Sequence, residues 1–396
     1  MPKVTGAGRP LRRRAALVAA AMLAVAPAAA SGPGVAAPAP EEAAWTAPAL
    51  PAPTGARPVG LRTTELRDTS RRDPWNPARA RELTVSLWYP ARASKAPRAR
   101  YVTVRESEMI LRRHRVEGVP ADLLSRIRVH ARVAAPPVAA PGRGLPLVLL
   151  SPGFALPRSS LTGLAEELAS RGYAVAGVDH AYEAAAIRHP DGRVTGCLAC
   201  ERRPEGAVVA ATRAADLSFV RQRLIRSARA GGLPRLDPSR VALVGHSMGG
   251  AAAFEALRTD PGFALGVNMD GTVHTSGRTR LDRPFVLLGA GEHGRPGSDR
   301  TWDRAWQDLS GRRRWISVDG AGHLSFTDYA PLLERIGRAG PEVTLPSGDG
   351  SRITRELVVA LLDEGLLHRL GPRLDAVARH LPEVRRHDGP QDPATG

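Results

Sequence analysis

The sequence predicts a doubly wound α/β domain, a mostly parallel central sheet with helices on both faces. Short apolar runs alternate with helical stretches, and those runs are apolar on both faces, as strands covered on two sides require. Composition agrees: of 396 residues, 43% are hydrophobic and only 4% aromatic, so a sizeable core must be built mainly from Ala, Val and Leu.

Residues 1–30 read as a cleaved export signal and the mature chain as secreted. A basic segment ends at Arg14, an apolar run covers Ala15 to Ala26, and Ala28-Ala29-Ala30 precede Ser31. The apolar run is shorter than the roughly 20 residues of a membrane span, so no transmembrane segment is expected in the mature chain. Arg12-Arg13-Arg14 leaves general and twin-arginine export both open. Residues 31–76, rich in Pro and Ala, read as a linker. The α/β domain is placed at 77–383 and a disordered tail at 384–396.

The first strand is expected at Arg81 to Pro90, where Leu83, Val85 and Leu87 alternate with polar neighbours. Residues 101–133, with Leu123, Leu124 and Ile127 at helical spacing, interrupt the alternation as a lid or a flank. Further strands are expected at Leu145 to Leu150, Tyr173 to Val178, Val241 to Gly245, Leu265 to Met269, Pro284 to Gly289 and Arg314 to Val318. Helices fall between them at Leu161 to Arg171, Val208 to Arg229, Gly249 to Arg258 and Thr301 to Leu309, and Ile353 to about His380 reads as an amphipathic helix.

The formal net charge is +17, and nearly all of it is arginine, since Lys occurs only at Lys3 and Lys95. The arginines are scattered, and no helix-turn-helix, zinc-finger or single-strand platform accompanies them, so nucleic acid is not an expected partner. Peripheral contact with anionic lipid remains open. Cys197 and Cys200 have C-x-x-C spacing, but zinc takes about four ligands and no second pair exists. A thioredoxin-like pair opens a helix after a strand, whereas this one follows the polar Pro190-Asp191-Gly192, so a local disulfide is expected. No metal or cofactor is implied.

The sharpest motif is Val241-Ala-Leu-Val-Gly-His-Ser-Met-Gly-Gly250, a G-x-S-x-G at the junction of an expected strand and helix. That context marks a nucleophile elbow with Ser247 exposed on a strained turn, the Met248 N–H aimed at a developing oxyanion and His246 as packing. The base should follow in a loop after a later strand, and His323 in Asp319-Gly-Ala-Gly-His-Leu-Ser-Phe326 does so. His180 is read as supporting or structural, and His114, His130, His189, His274 and His293 have no comparable placement. For the acid, Asp270 ends the strand after the elbow and Glu292 ends the next; the shorter Asp270 is preferred. Ser151-Pro-Gly-Phe154 offers the Phe154 N–H as second oxyanion donor, with Gly153 free to turn the amide inward.

Together Leu87-Trp-Tyr-Pro90, Ser151-Pro-Gly-Phe154, Gly245-His-Ser-Met-Gly-Gly250, Met269-Asp270 and Gly322-His323 resemble the secreted plasma-type platelet-activating factor acetylhydrolases and their bacterial lipase and esterase relatives, of the α/β-hydrolase superfamily. The resemblance covers about residues 80–330, and Pro152 stands where many members carry His. It implies the α/β-hydrolase fold, an acid on the strand after the elbow, and hydrolysis of short acyl esters of lipids through an acyl-enzyme. A cutinase-like polyester hydrolase or a general lipase is the alternative enzyme, with Glu292 as acid in the cutinase arrangement. A catalytically silent binding protein of the same fold is the alternative outside enzymes.

Overall fold

Alternate residues of each central strand point to opposite sides of the sheet, and in this chain both sides are apolar. In the computed structural model, Leu147 and Leu149 join one buried layer while Val148 and Leu150 join the other. The same division separates Leu243 from Val244 and Leu287 from Leu288. This period-two sorting is what lets helices cover both faces. The structure describes residues 48–390, other than 141, 232, 275–279, 342, 344 and 368–373.

The elements in the first half are β1 (Val59–Arg72), β2 (Ala80–Pro90), β3 (Arg98–Arg100), α1 (Val104–Arg113), β4 (Arg128–Val133), β5 (Leu145–Ser151), α2 (Thr162–Ser170), β6 (Ala174–His180), the hairpin β7 (Ile187–Arg188) and β8 (Val194–Thr195), and α3 (Leu198–Arg202). The second half holds α4 (Gly206–Arg229), β9 (Leu236–His246), α5 (Met248–Thr259), β10 (Leu265–Met269), β11 (Phe285–Ala290), α6 (Arg300–Asp308), β12 (Arg313–Val318), α7 (Tyr329–Arg335), α8 (Ser347–Gly365), α9 (Leu374–His380) and β13 (Val384–His387).

Among the described residues the main sheet runs β13-β12-β11-β10-β9-β5-β6-β2-β1-β4-β3. The six strands from β6 to β12 in that order are mutually parallel, which brings the C-terminal ends of β9, β10, β11 and β12 side by side. Helices α1, α2, α8 and α9 cover one face, and α4, α5 and α6 the other. No described helix is long and apolar enough to cross a membrane.

Two boundaries differ from expectation. Residues 59–72, expected within the linker, form β1, paired antiparallel with β2 from Val59↔Pro90 to Arg72↔Ala80. Most of its side chains are exposed polar groups, so it lacks the apolar periodicity that marks a strand. Upstream residues also pack on the domain: Thr54 donates from N and Oγ1 to the Glu167 carboxylate, and Trp75 is buried. At the other end, residues 384–387, expected within a disordered tail, form β13 against β12. The export signal at 1–30 lies outside the described residues.

Residues 101–133 form a flank. Thr103 and Glu106 close a capping box on α1, and Ile110, Leu111, Leu123, Leu124 and Ile127 are buried in the layer that also holds α2 and α8.

Candidate active site

Strand β9 ends at His246 and α5 starts at Met248, leaving Ser247 alone to make the turn at φ 54° and ψ −122°. A non-glycine residue at positive φ stores roughly 1–3 kcal/mol of strain. The flanking glycines allow the crossing: a Cβ on Gly245 would collide with the Gly249 carbonyl, and one on Gly249 with the Ser151 carbonyl. Ser247 N–H donates to the Met269 carbonyl at 2.8 Å, tying the elbow to the end of β10.

The turn after β10 carries Asp270, also at positive φ. Asn268 holds this turn by accepting from Gly271 N at 2.8 Å and donating to the Gly271 carbonyl at 2.6 Å. The Asp270 carboxylate is 3% exposed. Its Oδ2 lies 2.5 Å from His323 Nδ1. Its Oδ1 accepts from Ala290 N and faces His293 Nδ1, both at 2.8 Å. Burial alone would raise the Asp270 carboxyl, but the hydrogen bonds and charges of His293 and His323 hold it well below the usual carboxylate range.

His323 opens a short helical turn, His323–Phe326, beyond the end of β12 and is partly exposed. Its carbonyl accepts from His246 Nε2 at 2.8 Å, and the two rings are 4.6 Å apart. Burial, and then the charge of the neighbouring His323, pushes the His246 ring down to about 3. His246 is therefore a neutral strut under the His323 loop.

Ser151-Pro-Gly-Phe154 crosses the serine closely: a Cβ on Gly153 would lie 3.3 Å from Ser247 Cβ. Among the described residues neither the Phe154 nor the Met248 amide donates a backbone hydrogen bond. The loop is anchored from below. Arg213 donates to the Pro152 carbonyl at 2.5 Å and to Glu183 at 2.7 Å, while the Ala155 amide donates to the Glu183 carbonyl.

Beneath it lies an arrangement that sequence reading missed. Ser151 Oγ is 3.0 Å from His180 Nε2, and His180 Nδ1 is 2.8 Å from Asp216 Oδ2. Asp216 also receives Arg81 and Arg71, and Arg81 reaches Asp73 and Glu183.

Cys197 and Cys200 form a disulfide. They pack with Trp75, Tyr182, Phe154 and Met248 in an apolar cluster beside the elbow. Glu292 points away: its side chain is 90% exposed and paired with Arg295. His293, without apparent placement in the sequence, is the second partner of Asp270. Its signal was its position three residues past β11, at the same end of the sheet. Glu65, Glu82 and His189 bring possible metal-ligand atoms together, but Glu82 is held by Arg79 and Arg193 and His189 by Glu65.

A family model described as platelet-activating factor acetylhydrolase, isoform II, matches residues 234–367, the span that holds Ser247, Asp270 and His323. A probable 1-alkyl-2-acetylglycerophosphocholine esterase of Arthroderma benhamiae is 26% identical over 252 residues, 58% of this chain and 62% of its own. A platelet-activating factor acetylhydrolase of Cavia porcellus is 26% identical over 255 residues, 55% of this chain and 56% of its own. The chain thus spans less than two thirds of the length of either relative. A solved ferulic acid esterase from Streptomyces cinnamoneus superposes with a TM-score of 0.77 at 38% identity, covering 86% of this chain and 100% of that one. Elbow, sheet order and these matches agree: the chain belongs to the platelet-activating factor acetylhydrolase-like family of α/β-hydrolases.

Proposed function

We propose that the chain is a secreted serine carboxylic ester hydrolase. Ser247 Oγ attacks the acyl carbonyl and His323 takes its proton, returning it to the leaving alcohol; Asp270 fixes and charges against His323. The Phe154 and Met248 amides stabilise the tetrahedral oxyanion, and water then releases the acyl group. The observation that carries this reading is the 2.5 Å contact of His323 with a buried, ionised Asp270 beside a strained Ser247. The exposed Glu292 disfavours the cutinase-like arrangement.

The two relatives, one named as an acetylhydrolase and one as a probable 1-alkyl-2-acetylglycerophosphocholine esterase, support short, acetyl-like acyl esters of lipids as substrates. A second reading, an aromatic hydroxycinnamoyl ester, is favoured by the 38% identity to the ferulic acid esterase over its whole length. The test is hydrolysis of p-nitrophenyl esters from acetyl to dodecanoyl, of a 1-alkyl-2-acetyl phospholipid and of methyl ferulate, each alongside Ser247→Ala. A steep preference for acetyl groups, lost in the variant, supports the first reading; methyl ferulate as the best substrate supports the second. A long-chain preference points to a lipase or polyesterase, and no turnover at all to a silent fold. Contact with anionic lipid is tested by vesicle sedimentation, which must weaken as salt rises.

A further inference from the structure

We propose that His293 is a positioning residue of this site: a charged imidazolium, clasped between Asp270 and Asp299, that fixes the Asp270 carboxylate with Oδ2 toward His323 and offsets part of its charge. The inference rests on the reading of Ser247, His323 and Asp270 given above.

The geometry requires the charge. His293 Nδ1 is 2.8 Å from Asp270 Oδ1, and Nε2 is 3.0 Å from Asp299 Oδ2. Ionised carboxylates only accept, so each ring nitrogen must carry a proton; a neutral ring would set a lone pair against one of the oxygens. Burial opposes charging the ring, but the hydrogen bonds to Asp270 and Asp299 outweigh it and push His293 up to about 10. Asp299 is itself fixed as the N-cap of α6, accepting from Thr301 N at 2.7 Å. From α6 the Trp302 ring also meets the His293 ring edge-on.

The surrounding charges leave this clasp intact. On the same loop Glu292 pairs outward with Arg295. Asp319, after β12, takes Arg295 and Arg385. His274, on the segment after β10, also feels the charge of Asp299, though burial outweighs it and lowers the His274 ring below its ordinary value. Across Asp270 stands His323.

Two consequences follow. With Oδ1 filled by Ala290 N and His293, Asp270 has one oxygen left for His323, so its rotation is fixed without help from His323 itself. Also, the positive ring offsets the charge of both carboxylates it touches, Asp270 and Asp299. Neutralising His293 leaves the Asp270 charge beside His323 no longer offset, so protonated His323 is favoured and activity disappears sooner on acidification. Neutralising Asp299 removes negative charge and cannot produce that shift.

The test compares the full chain with His293→Gln and Asp299→Asn in kcat/KM against pH for p-nitrophenyl acetate. We expect the acid limb of His293→Gln to move up by roughly one pH unit, with kcat lowered and KM little changed, and that of Asp299→Asn to stay or move down. Nitrogen-15 spectra of histidine-labelled wild type should show one ring carrying two N–H protons to about pH 8.5, above the ordinary histidine value of about 6.5, and His293→Gln should lose that signal. A rate loss equal at every pH, or a His293 ring neutral at pH 7.5, overturns the proposal. If His293→Gln does not fold, a neutral ring at this site in the wild-type spectra or an upward shift in Asp299→Asn still overturns the proposal. A wild-type chain without esterase activity instead refutes the proposed function, and the spectra continue to test the clasp.

Discussion

The described residues hold two serine–histidine–aspartate groupings, and their contrast shows what connectivity alone does not supply. Ser151, His180 and Asp216 are linked at 3.0 and 2.8 Å, and all three are fully buried. Ser247, Asp270 and His323 instead surround a turn at which the serine is strained and both serine and histidine reach solvent. The carboxylates differ as well. Asp216 is shared with Arg81 and Arg71 in a buried salt-bridge network, whereas the ion-pair partners of Asp270 among the described residues are the imidazoles of His293 and His323. The buried grouping therefore supports the Ser151 end of the Ser151–Phe154 loop, and the open one is the grouping proposed to react.

The largest expected separation is in rate. Ser247→Ala should lower kcat by at least about 10³-fold with the fold intact, while Ser151→Ala should cost about tenfold or less through loop position. Circular dichroism beside ester hydrolysis checks both; equal losses would erase the distinction. The two acids should exchange effects. Asp270→Asn should cost about 10⁴-fold in kcat, whereas Asp216→Asn, which strips the buried Arg81 of its main partner, should cost about 3–5 kcal/mol in urea unfolding.

A smaller effect separates the buried histidines by pH. The unfolded chain protonates His246 near the ordinary value of about 6.5, while the folded chain holds off to about 3. Between those values the unfolded state binds more protons, so stability falls on acidification by about 1.4 kcal/mol per pH unit for this group. His293 has the opposite sign: its contribution is complete below the unfolded value and disappears as pH rises through about 10. Thermal melts from pH 4 to 7 should therefore flatten in a folded His246→Asn variant and keep their slope in His293→Gln.

The central strands were legible because Leu145 to Leu150 and Val241 to Gly245 are apolar on both faces, and Ser247 because its glycines are a local steric need. The candidate base His323 followed from chain order, which left Asp270 and Glu292 both open as acid; Asp270 was preferred as the shorter side chain, ending a clean apolar strand. β1 was not legible, since it lies near the sheet edge with Thr, Ser and Arg facing water. Asp216 and Arg213 sit inside α4 among ordinary helical residues, and the packing of α4 under the Ser151–Phe154 loop gives them partners. His293 was hidden for the same reason: its role depends on a carboxylate 23 residues away and a helix cap six residues on.

One end of the sheet gives the excess of arginine a use. β3 and β13 are the outermost strands, and each presents a row of backbone groups that another sheet could extend. β3 carries the exposed Arg98 and Arg100, whereas on β13 the exposed Arg385 and Arg386 are paired with Asp319 and Asp375. Two β3 rims meeting head-on would bring like charges together at strand spacing, so stacking of copies through that edge is discouraged where it would start. That protection depends on unscreened charge, and it weakens as added salt shortens the Debye length below about 8 Å.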